Sequence, residues 1–323
     1  MTHTTLTTKI VTLGLLLSST RALATGPYGY TLMGLAMAAP NRDTPVQTTS
    51  KIGRVSSYPY ITGDTFRNHA DFTFDEMNES FNPQDVQPGN VIFVKTERLG
   101  EFFRDMHPQI PCRYILLTHN SDFGIPGAYA SMLNDPKLIA WFGQNVEGPA
   151  HPTLHALPLG IANRYWHHGD PAVFDHVRGL LGTFKKKILL FMNFDLNSCM
   201  QERNHVYQIF KNKSFCTKGK GEAMYYYLCN TAQSKFVLSP RGGGLDCHRT
   251  WEAFYMGAIP IVRSSVSDGL YDGLPILIVK DWNDITPELL ERKYNEMSTK
   301  TYHLERLWAD YWLNIIDAYK QQA

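Results

Sequence analysis

The sequence predicts an α/β protein made of two domains with parallel sheets. The first observation is a strand, a glycine loop, a helix and a second strand in direct succession between Ser234 and Val262. The second is an alternation of short apolar runs with helical segments between residues 91 and 159. The third is that polar side chains follow several of these runs directly, at the sheet edge where α/β folds bind ligands.

The elements of the first domain follow from apolar runs bounded by polar or turn residues. Helices are predicted at Glu97–Met106 and Ile125–Leu133. The predicted strands are Val91–Val94, Tyr114–Leu117, Ile139–Phe142 and Leu154–Leu159. This alternation is typical of a Rossmann-like domain.

The second domain is predicted to open with a strand over Lys185–Phe191 and to continue with helices near residues 201–210 and 222–231. The next predicted elements are a strand over Lys235–Leu238, a helix over Arg249–Met256 and strands over Ala258–Val262 and Leu274–Val279. Gly257 fits the end of the helix before it, and Pro287 fits the first turn of a later helix. Aromatic residues and leucines at helical spacing in residues 302–319 predict a final helix packed on the body of the protein.

The loop between Leu238 and the predicted helix carries residues suited to an anionic ligand. Gly242, Gly243 and Gly244 allow the backbone to approach a ligand closely. Guanidinium groups and the N–H groups at a helix N-terminus both bind phosphate. The charged or polar candidates in this segment are Arg241, Asp246, His248, Arg249 and, one helical turn further on, Glu252. The cluster predicts a sugar nucleotide, whose diphosphate the arginines would hold and whose ribose Glu252 would bind.

This segment resembles the exostosin-like glycosyltransferases, glycosyltransferase family 47. Their signature runs Ser-Lys-Phe-x-Leu-x-Pro-Arg-Gly, then an Asp, an Arg, Glu-Ala and Gly-x-Ile-Pro-Val. The matching pieces occur in that order as Ser239–Gly242, Asp246, Arg249, Glu252–Ala253 and Gly257–Ile261, with Ile261 in place of the valine. Outside Ser234–Val262 the resemblance is thin.

The resemblance implies the GT-B fold, in which two Rossmann-like domains face a cleft. It also implies a nucleoside diphosphate sugar as donor, with uridine as the base, and a hydroxyl of a glycan or glycoconjugate as acceptor. By the same resemblance, Glu252 would contact the ribose, and Arg241 and Arg249 the diphosphate. Inversion at the transferred sugar is the implied outcome.

An inverting transferase needs a base that removes the proton of the acceptor hydroxyl. The run Leu116–Asp122 is a buried strand that ends in polar residues, which makes Asp122 and His119 the first candidates and Glu147 the third. The alternative for these residues is structural. His119 would cap the next element and Asp122 would begin a turn before Gly124.

Composition and short motifs exclude several other functions. The chain of 323 residues has a net charge of +1, with no basic stripe and no nucleic-acid-binding signature, so no nucleic acid is expected as a partner. Cys247 and His248 lack the spacing of a zinc site, and an Asp-x-Asp metal motif is absent. We therefore expect no metal and no other cofactor, the nucleotide sugar being a co-substrate. Walker and Gly-x-Gly-x-x-Gly motifs are also absent, which disfavours a phosphate-handling enzyme on a doubly wound sheet, and the absence of Gly-x-Ser-x-Gly disfavours an esterase.

The first 24 residues have the pattern of a secretory signal or membrane anchor, with a disordered leader as the alternative. Lys9 precedes an apolar core, and Ala22 and Ala24 match the cleavage pattern. With the possible glycosylation sites Asn78 and Asn212, this predicts the lumen of the Golgi or endoplasmic reticulum and N-terminal membrane association, the alternative being the cytoplasm. The 5 scattered cysteines do not indicate a disulfide scaffold.

The predicted organisation is thus a leader over residues 1–24, a linker over 25–58, an acceptor-side domain over 59–175, a donor-binding domain over 176–300 and a C-terminal helix over 301–323. The predicted function is transfer of a sugar from a nucleotide sugar to a glycan. A protein that binds nucleotide sugars or glycans without catalysis is the main alternative, and it would bind donor without turnover.

Overall fold

A computed structural model of the chain describes residues 54–219 and 221–323. The predicted leader and nearly all of the predicted linker lie outside these residues. Within them the chain forms two five-stranded sheets, and every strand pair in both sheets is parallel. The prediction of an α/β protein with parallel sheets is confirmed.

The first sheet has its strands in chain order, β1-β2-β3-β4-β5. Helix α1 (Gly63–His69) precedes it and packs on β2 and β3. The strands are β1 (Phe72–Phe74), β2 (Val91–Lys95), β3 (Tyr114–His119), β4 (Leu138–Gly143) and β5 (Leu154–Ala156). Every side chain of β3 and β4 is buried, because both faces of a parallel sheet are covered. The short strand β1 was not predicted.

The connections between these strands are less regular than predicted. The predicted helix over Glu97–Met106 is helical throughout, but it passes from a 3-10 turn (Thr96–Arg98) through one α turn (Leu99–Glu101) to a π turn (Phe102–Met106). The predicted helix over Ile125–Leu133 is helical from Gly127 onward, but its geometry is not that of an α-helix. The segment forms 3-10 turns over Gly127–Asn134, with a break in helical geometry at Tyr129.

The second sheet has the order β10-β9-β8-β6-β7. Its strands are β6 (Ile188–Met192), β7 (Cys216–Lys218), β8 (Ser234–Leu238), β9 (Ile259–Arg263) and β10 (Leu277–Val279). The helices from residue 171 onward are α2 (Pro171–Gly179), α3 (Met200–Phe210), α4 (Met224–Ala232), α5 (His248–Tyr255), α6 (Pro287–Ser298) and α7 (Ala309–Lys320). The predicted unit of strand, glycine loop, helix and strand is therefore β8, the loop, α5 and β9.

The ends of α5 and α6 follow the sequence signals. Gly257 has a φ of 64°, the left-handed conformation that ends a helix and that glycine adopts without strain. Thr286 caps α6 by accepting a hydrogen bond from the Leu289 N–H, and Pro287 occupies the first turn.

One apolar cluster runs through both sheets and the helices between them. It extends from Tyr60 and Phe142 near the first sheet to Phe236 and Trp251 in the second. Helix α7 joins it, where Tyr319 meets the ring of Phe142 at 5.3 Å between centroids. The last helix of the chain therefore packs against the first sheet.

Within the described part of the chain, no helix has the length and apolar character needed to cross a membrane.

Candidate functional site

The buried carboxylate of Asp246 joins the glycine loop between β8 and α5 to the segment that follows β5. Asp246 is 4 % exposed, and its Oδ2 accepts hydrogen bonds from the Leu159 N–H at 2.8 Å and the Trp251 Nε1 at 2.7 Å. Its Oδ1 accepts from the Tyr271 hydroxyl and the Cys247 N–H, each at 2.8 Å. Burial raises the pKa of Asp246, and these donors oppose that shift. The structure thus gives Asp246 protein partners on both oxygens, and these hydrogen bonds hold the loop in place.

Replacement of Asp246 by asparagine should destabilise the protein. An amide presents one oxygen and a donor where the carboxylate receives four hydrogen bonds, which leaves buried donors unsatisfied. We expect a loss of about 3 kcal/mol in the free energy of unfolding. Urea denaturation measures it, and Asp272→Asn, at an exposed position, is the matched control with an expected change within about 0.5 kcal/mol. Equal stability of the two variants would contradict the anchoring role.

Arg249 and Glu252 lie together on the first turns of α5, as predicted. Both line a cavity of about 250 Å³ that also contacts Tyr227 and His168. The Arg249 Nε donates to the Asn193 carbonyl at 2.7 Å, but its Nη1 is buried without a hydrogen-bond partner among the described residues. An unsatisfied guanidinium nitrogen of this kind is costly unless a ligand accepts its hydrogen bond.

The carboxylate of Glu252 is held by a tyrosine. The Tyr227 hydroxyl donates to Glu252 Oε2 at 2.8 Å. Burial raises the pKa of Glu252, while the hydrogen bond from Tyr227 and the charge of Arg249 oppose the shift. One oxygen of Glu252 is therefore bound within the protein.

A second arginine, Arg203, was not predicted from the sequence. It is 6 % exposed on α3, and its Nε donates to the Arg241 carbonyl at 2.9 Å and its Nη1 to the Asp195 carbonyl at 2.7 Å. Burial lowers the pKa of Arg203, and the neighbouring charge of Arg249 lowers it further. Arg249 donates to the carbonyl of Asn193, two residues before Asp195, so both guanidinium groups lie beside the segment that follows β6. A bound anion would stabilise this arrangement of two positive charges.

The glycine loop also lines a second cavity, of about 400 Å³, to which segments of both sheets contribute. The first sheet contributes Asn120 and Asp122 after β3, and the second contributes Arg203 and His248. These residues follow the carboxyl ends of parallel strands, where α/β folds bind ligands. We call this cavity the central pocket.

Asp122 lies directly against the glycine loop. A side chain at Gly243 would overlap the Asp122 carboxylate, and one at Gly244 would overlap the Asn145 side chain. At Gly242 an added Cβ would stand 3.1 Å from Arg203 Nη2. At each of the three positions a neighbouring side chain approaches the loop so closely that little or no room is left for a Cβ. This accounts for three glycines in succession.

Two asparagines at the edge of the first sheet adopt the left-handed conformation. Asn120 has a φ of 62° and Asn145 a φ of 53°. Such residues are concentrated at functional sites, and asparagine tolerates the conformation better than most residues. The chain therefore turns sharply after β3 and β4 to present the polar groups of the central pocket.

The two predicted histidines have defined tautomers. His119 is fully buried: its Nε2 donates to the Pro158 carbonyl at 3.0 Å, and its Nδ1 accepts from the Asn120 N–H at 2.9 Å. The structure leaves it no free nitrogen for a substrate and supports the structural alternative for this residue. His248 donates from Nδ1 to the Gly160 carbonyl at 2.8 Å, and it lines the central pocket with Nε2 as an acceptor.

Burial lowers the pKa of both His119 and His248 to about 4. An unfolded histidine has a pKa of about 6.5, so the unfolded chain binds more protons between pH 6.5 and 4. The contribution of each neutral histidine to the free energy of unfolding is therefore complete above pH 6.5. It falls by about 1.4 kcal/mol per pH unit as the pH drops toward 4. Urea midpoints at pH 7, 6 and 5 measure this slope.

His119→Gln should show a smaller fall in stability between pH 7 and 5 than the unaltered protein, whatever its stability at pH 7. His303→Gln, at an exposed histidine, is the control. An unchanged slope in His119→Gln would contradict the buried, neutral state of His119.

The remaining predicted residues, Arg241 and Glu147, lie elsewhere. They line a different cavity, of about 390 Å³, together with Glu202 and Arg263. Arg241 is turned onto its own loop, where its Nη2 donates to the Gly243 carbonyl at 2.9 Å. The structure therefore brings Asp122 and His248 together in one pocket and Arg249 and Glu252 in another, and it separates Arg241 and Glu147 from both.

No set of three or more histidine, cysteine, aspartate and glutamate side chains within residues 54–219 and 221–323 is arranged to hold a metal ion. The five cysteines are all free thiols.

Comparison with known proteins gives one family match. A family model described as the RXYLT1 C-terminal domain matches residues 191–316, which is less than half of the chain and includes the glycine loop and α5. No curated protein matches the chain. Among solved structures, one titled "Crystal structure of GtfA/B complex" is similar with 13% sequence identity and a TM-score of 0.35, over 73% of this chain and 57% of that chain. The similarity of residues 191–316 to the RXYLT1 C-terminal domain supports a glycosyltransferase.

Proposed function

We propose that the protein transfers a sugar from a nucleoside diphosphate sugar to a hydroxyl group of a glycan or glycoconjugate. The observation that carries the proposal is the buried Nη1 of Arg249, which has no hydrogen-bond partner among the described residues and lies near Arg203, on the segment that matches the family model. Arg249 supplies an unsatisfied donor and Arg203 a second positive charge, and such a pair of guanidinium groups matches the charge and the oxygens of a diphosphate.

In this proposal Arg249 and Arg203 bind the diphosphate and stabilise it as the leaving group. Arg203 lines the central pocket and donates to the carbonyl of Asp195, which lines the cavity of Arg249, so the diphosphate would lie between the two cavities. The N-terminus of α5, which begins at His248, lies on the same side and favours negative charge. Glu252 binds the ribose hydroxyls and is oriented by Tyr227. Arg241 contacts the donor only if its guanidinium leaves the Gly243 carbonyl, so it has a secondary role.

The proposed base is Asp122. The acceptor hydroxyl gives its proton to the Asp122 carboxylate as its oxygen bonds to the anomeric carbon, and the bond from that carbon to the diphosphate breaks. Inversion and a uridine base follow from the resemblance to the exostosin-like enzymes. Metal-independent departure of the diphosphate is proposed from the arginines and from the absence of an Asp-x-Asp motif.

The proposal includes the GT-B arrangement, with residues 59–175 as the acceptor side and 176–300 as the donor side. Its support is that the central pocket takes residues from both sheets. A secretory location, in the Golgi or endoplasmic reticulum, is proposed from the N-terminal sequence alone. The rival is a protein that binds a nucleotide sugar without turnover.

The test incubates the full chain with a panel of UDP, GDP and CMP sugars and a mixed glycan acceptor pool, with and without EDTA. Released nucleotide and the mass of the acceptor are measured. Release from one donor, with one sugar added to an acceptor in EDTA, is the expected result. Tight donor binding with no release in the presence of any acceptor would favour the rival, and loss of release in EDTA would contradict metal independence.

A further inference from the structure

Large aromatic side chains lie exposed at the acceptor side of the central pocket. Phe123 is 63% exposed, Tyr165 52% and Trp166 51%. Tyr165 and Trp166 line the pocket, and Phe123 directly follows Asp122. A single exposed aromatic residue is ordinary, but a group of them rimmed by polar residues is typical of a ligand-binding groove.

The exposed position of Trp166 is fixed by its own turn. The Trp166 N–H donates to the Asn163 carbonyl at 3.0 Å, and the Trp166 carbonyl accepts from the Gly169 N–H at 2.9 Å. The ring meets Tyr165 at 5.1 Å between centroids with a tilt of 38°. Because the backbone is held on both sides of Trp166, its exposure follows from the loop that comes after β5.

The two aromatic rings differ in what covers them. The Arg54 guanidinium lies 4.3 Å from the centroid of the Tyr165 ring, so a cation already occupies one face of that ring. Trp166 has His168 nearly parallel to it, but at 6.1 Å between centroids. Trp166 therefore offers the larger open aromatic face beside Asp122.

An aromatic face next to a carboxylate has the chemistry of a sugar subsite. The face of an aromatic ring is negative, and it attracts the C–H bonds on the apolar face of a pyranose. The hydroxyl groups at the ring edge then remain free for polar partners. Asp122 and the Nε2 of His248 line the same pocket and accept hydrogen bonds.

We propose that Trp166 is the platform of the acceptor subsite and stacks on the sugar ring that carries the reacting hydroxyl. This inference rests on the proposed transferase function and names its acceptor class: a pyranoside with a continuous C–H face, such as a β-linked xyloside, glucoside or galactoside. Trp166 orients that ring so that one hydroxyl reaches Asp122.

The test compares the full chain with Trp166→Ala and Trp166→Phe. Methyl β-xyloside, β-glucoside and β-galactoside serve both as acceptors in initial-rate assays and as ligands in saturation-transfer NMR. Trp166→Ala should raise the acceptor KM roughly five- to tenfold, with the donor KM unchanged, and Trp166→Phe should recover part of the loss. Tyr226→Ala removes a comparably exposed aromatic on α4 and should change neither constant.

NMR keeps the two proposals separable. If the unaltered protein releases no nucleotide, the proposed function fails, and glycoside binding that Trp166→Ala abolishes still supports the subsite. If turnover occurs but Trp166→Ala leaves the acceptor KM and the NMR signal unchanged, the subsite is wrong while the transferase stands. The subsite proposal would also be overturned if the unaltered protein bound no glycoside. It would likewise be overturned if Trp166→Ala changed the oligomeric state without changing glycoside binding.

Discussion

Asp122→Asn is expected to lower kcat by about 10²- to 10⁴-fold, the range that a general base contributes. The amide keeps the size of the side chain but cannot take the proton of the acceptor hydroxyl. Donor binding should stay within about twofold of the unaltered protein, because the groups that hold the diphosphate are not changed. Steady-state rates at saturating donor and acceptor measure the effect.

Glu147→Gln is the matched control for Asp122→Asn. Glu147 is also an exposed carboxylate after a strand of the first sheet, but it lines the cavity with Arg241 and Arg263 rather than the central pocket. We expect its turnover to be close to that of the unaltered protein. Loss of turnover in Glu147→Gln with full turnover in Asp122→Asn would move the base to Glu147.

Arg249→Ala should lower kcat/KM by about 10²-fold. Hydrogen bonds to charged groups contribute about 1.5–3 kcal/mol, and each 1.4 kcal/mol is a tenfold change. Arg249→Lys keeps the charge but loses the second nitrogen of the fork, so an intermediate loss is expected. The comparison is made by varying the donor at saturating acceptor.

Two further observations bear on Arg249→Ala. Arg104→Ala removes the same charge from a residue whose side chain is 68% exposed, and its kinetics should be unchanged. Because Nη1 of Arg249 is buried without a partner in the described residues, the alanine variant should lose less stability than a buried arginine normally costs. A large fall in the unfolding midpoint, parallel to the loss of rate, would assign Arg249 to the fold instead.

The strands could be predicted because a parallel sheet covered on both faces needs continuous apolar runs. Strands β2, β3, β4 and β8 each appear in the sequence as such a run. Strands β1 (Phe72–Phe74) and β7 (Cys216–Lys218) were missed because each contains polar residues and so forms no continuous apolar run, unlike the equally short β10 (Leu277–Val279). The helical segment predicted over Glu97–Met106 is present, but its changes between 3-10, α and π geometry depend on packing rather than on local preference.

The glycine loop could be located from the sequence, but the partners of its charges could not. Asp246 was predicted to bind a ligand, whereas Leu159 and Tyr271, distant in the chain, supply its hydrogen bonds. Conversely, Arg203 carries no local signal beyond its place on the helix after β6, and only the fold brings it beside Arg249. A charge in a loop thus acquires its role from residues that sequence spacing does not reveal.

The most direct test of the account is a calorimetric titration of UDP, GDP and CMP into the full chain, its Arg249→Ala variant and the Arg104→Ala control. We expect a nucleoside diphosphate to bind the unaltered protein and the Arg104→Ala control with equal affinity, and to bind Arg249→Ala at least about tenfold more weakly. No binding of any nucleotide to the unaltered protein, or equal binding to Arg249→Ala, would contradict it.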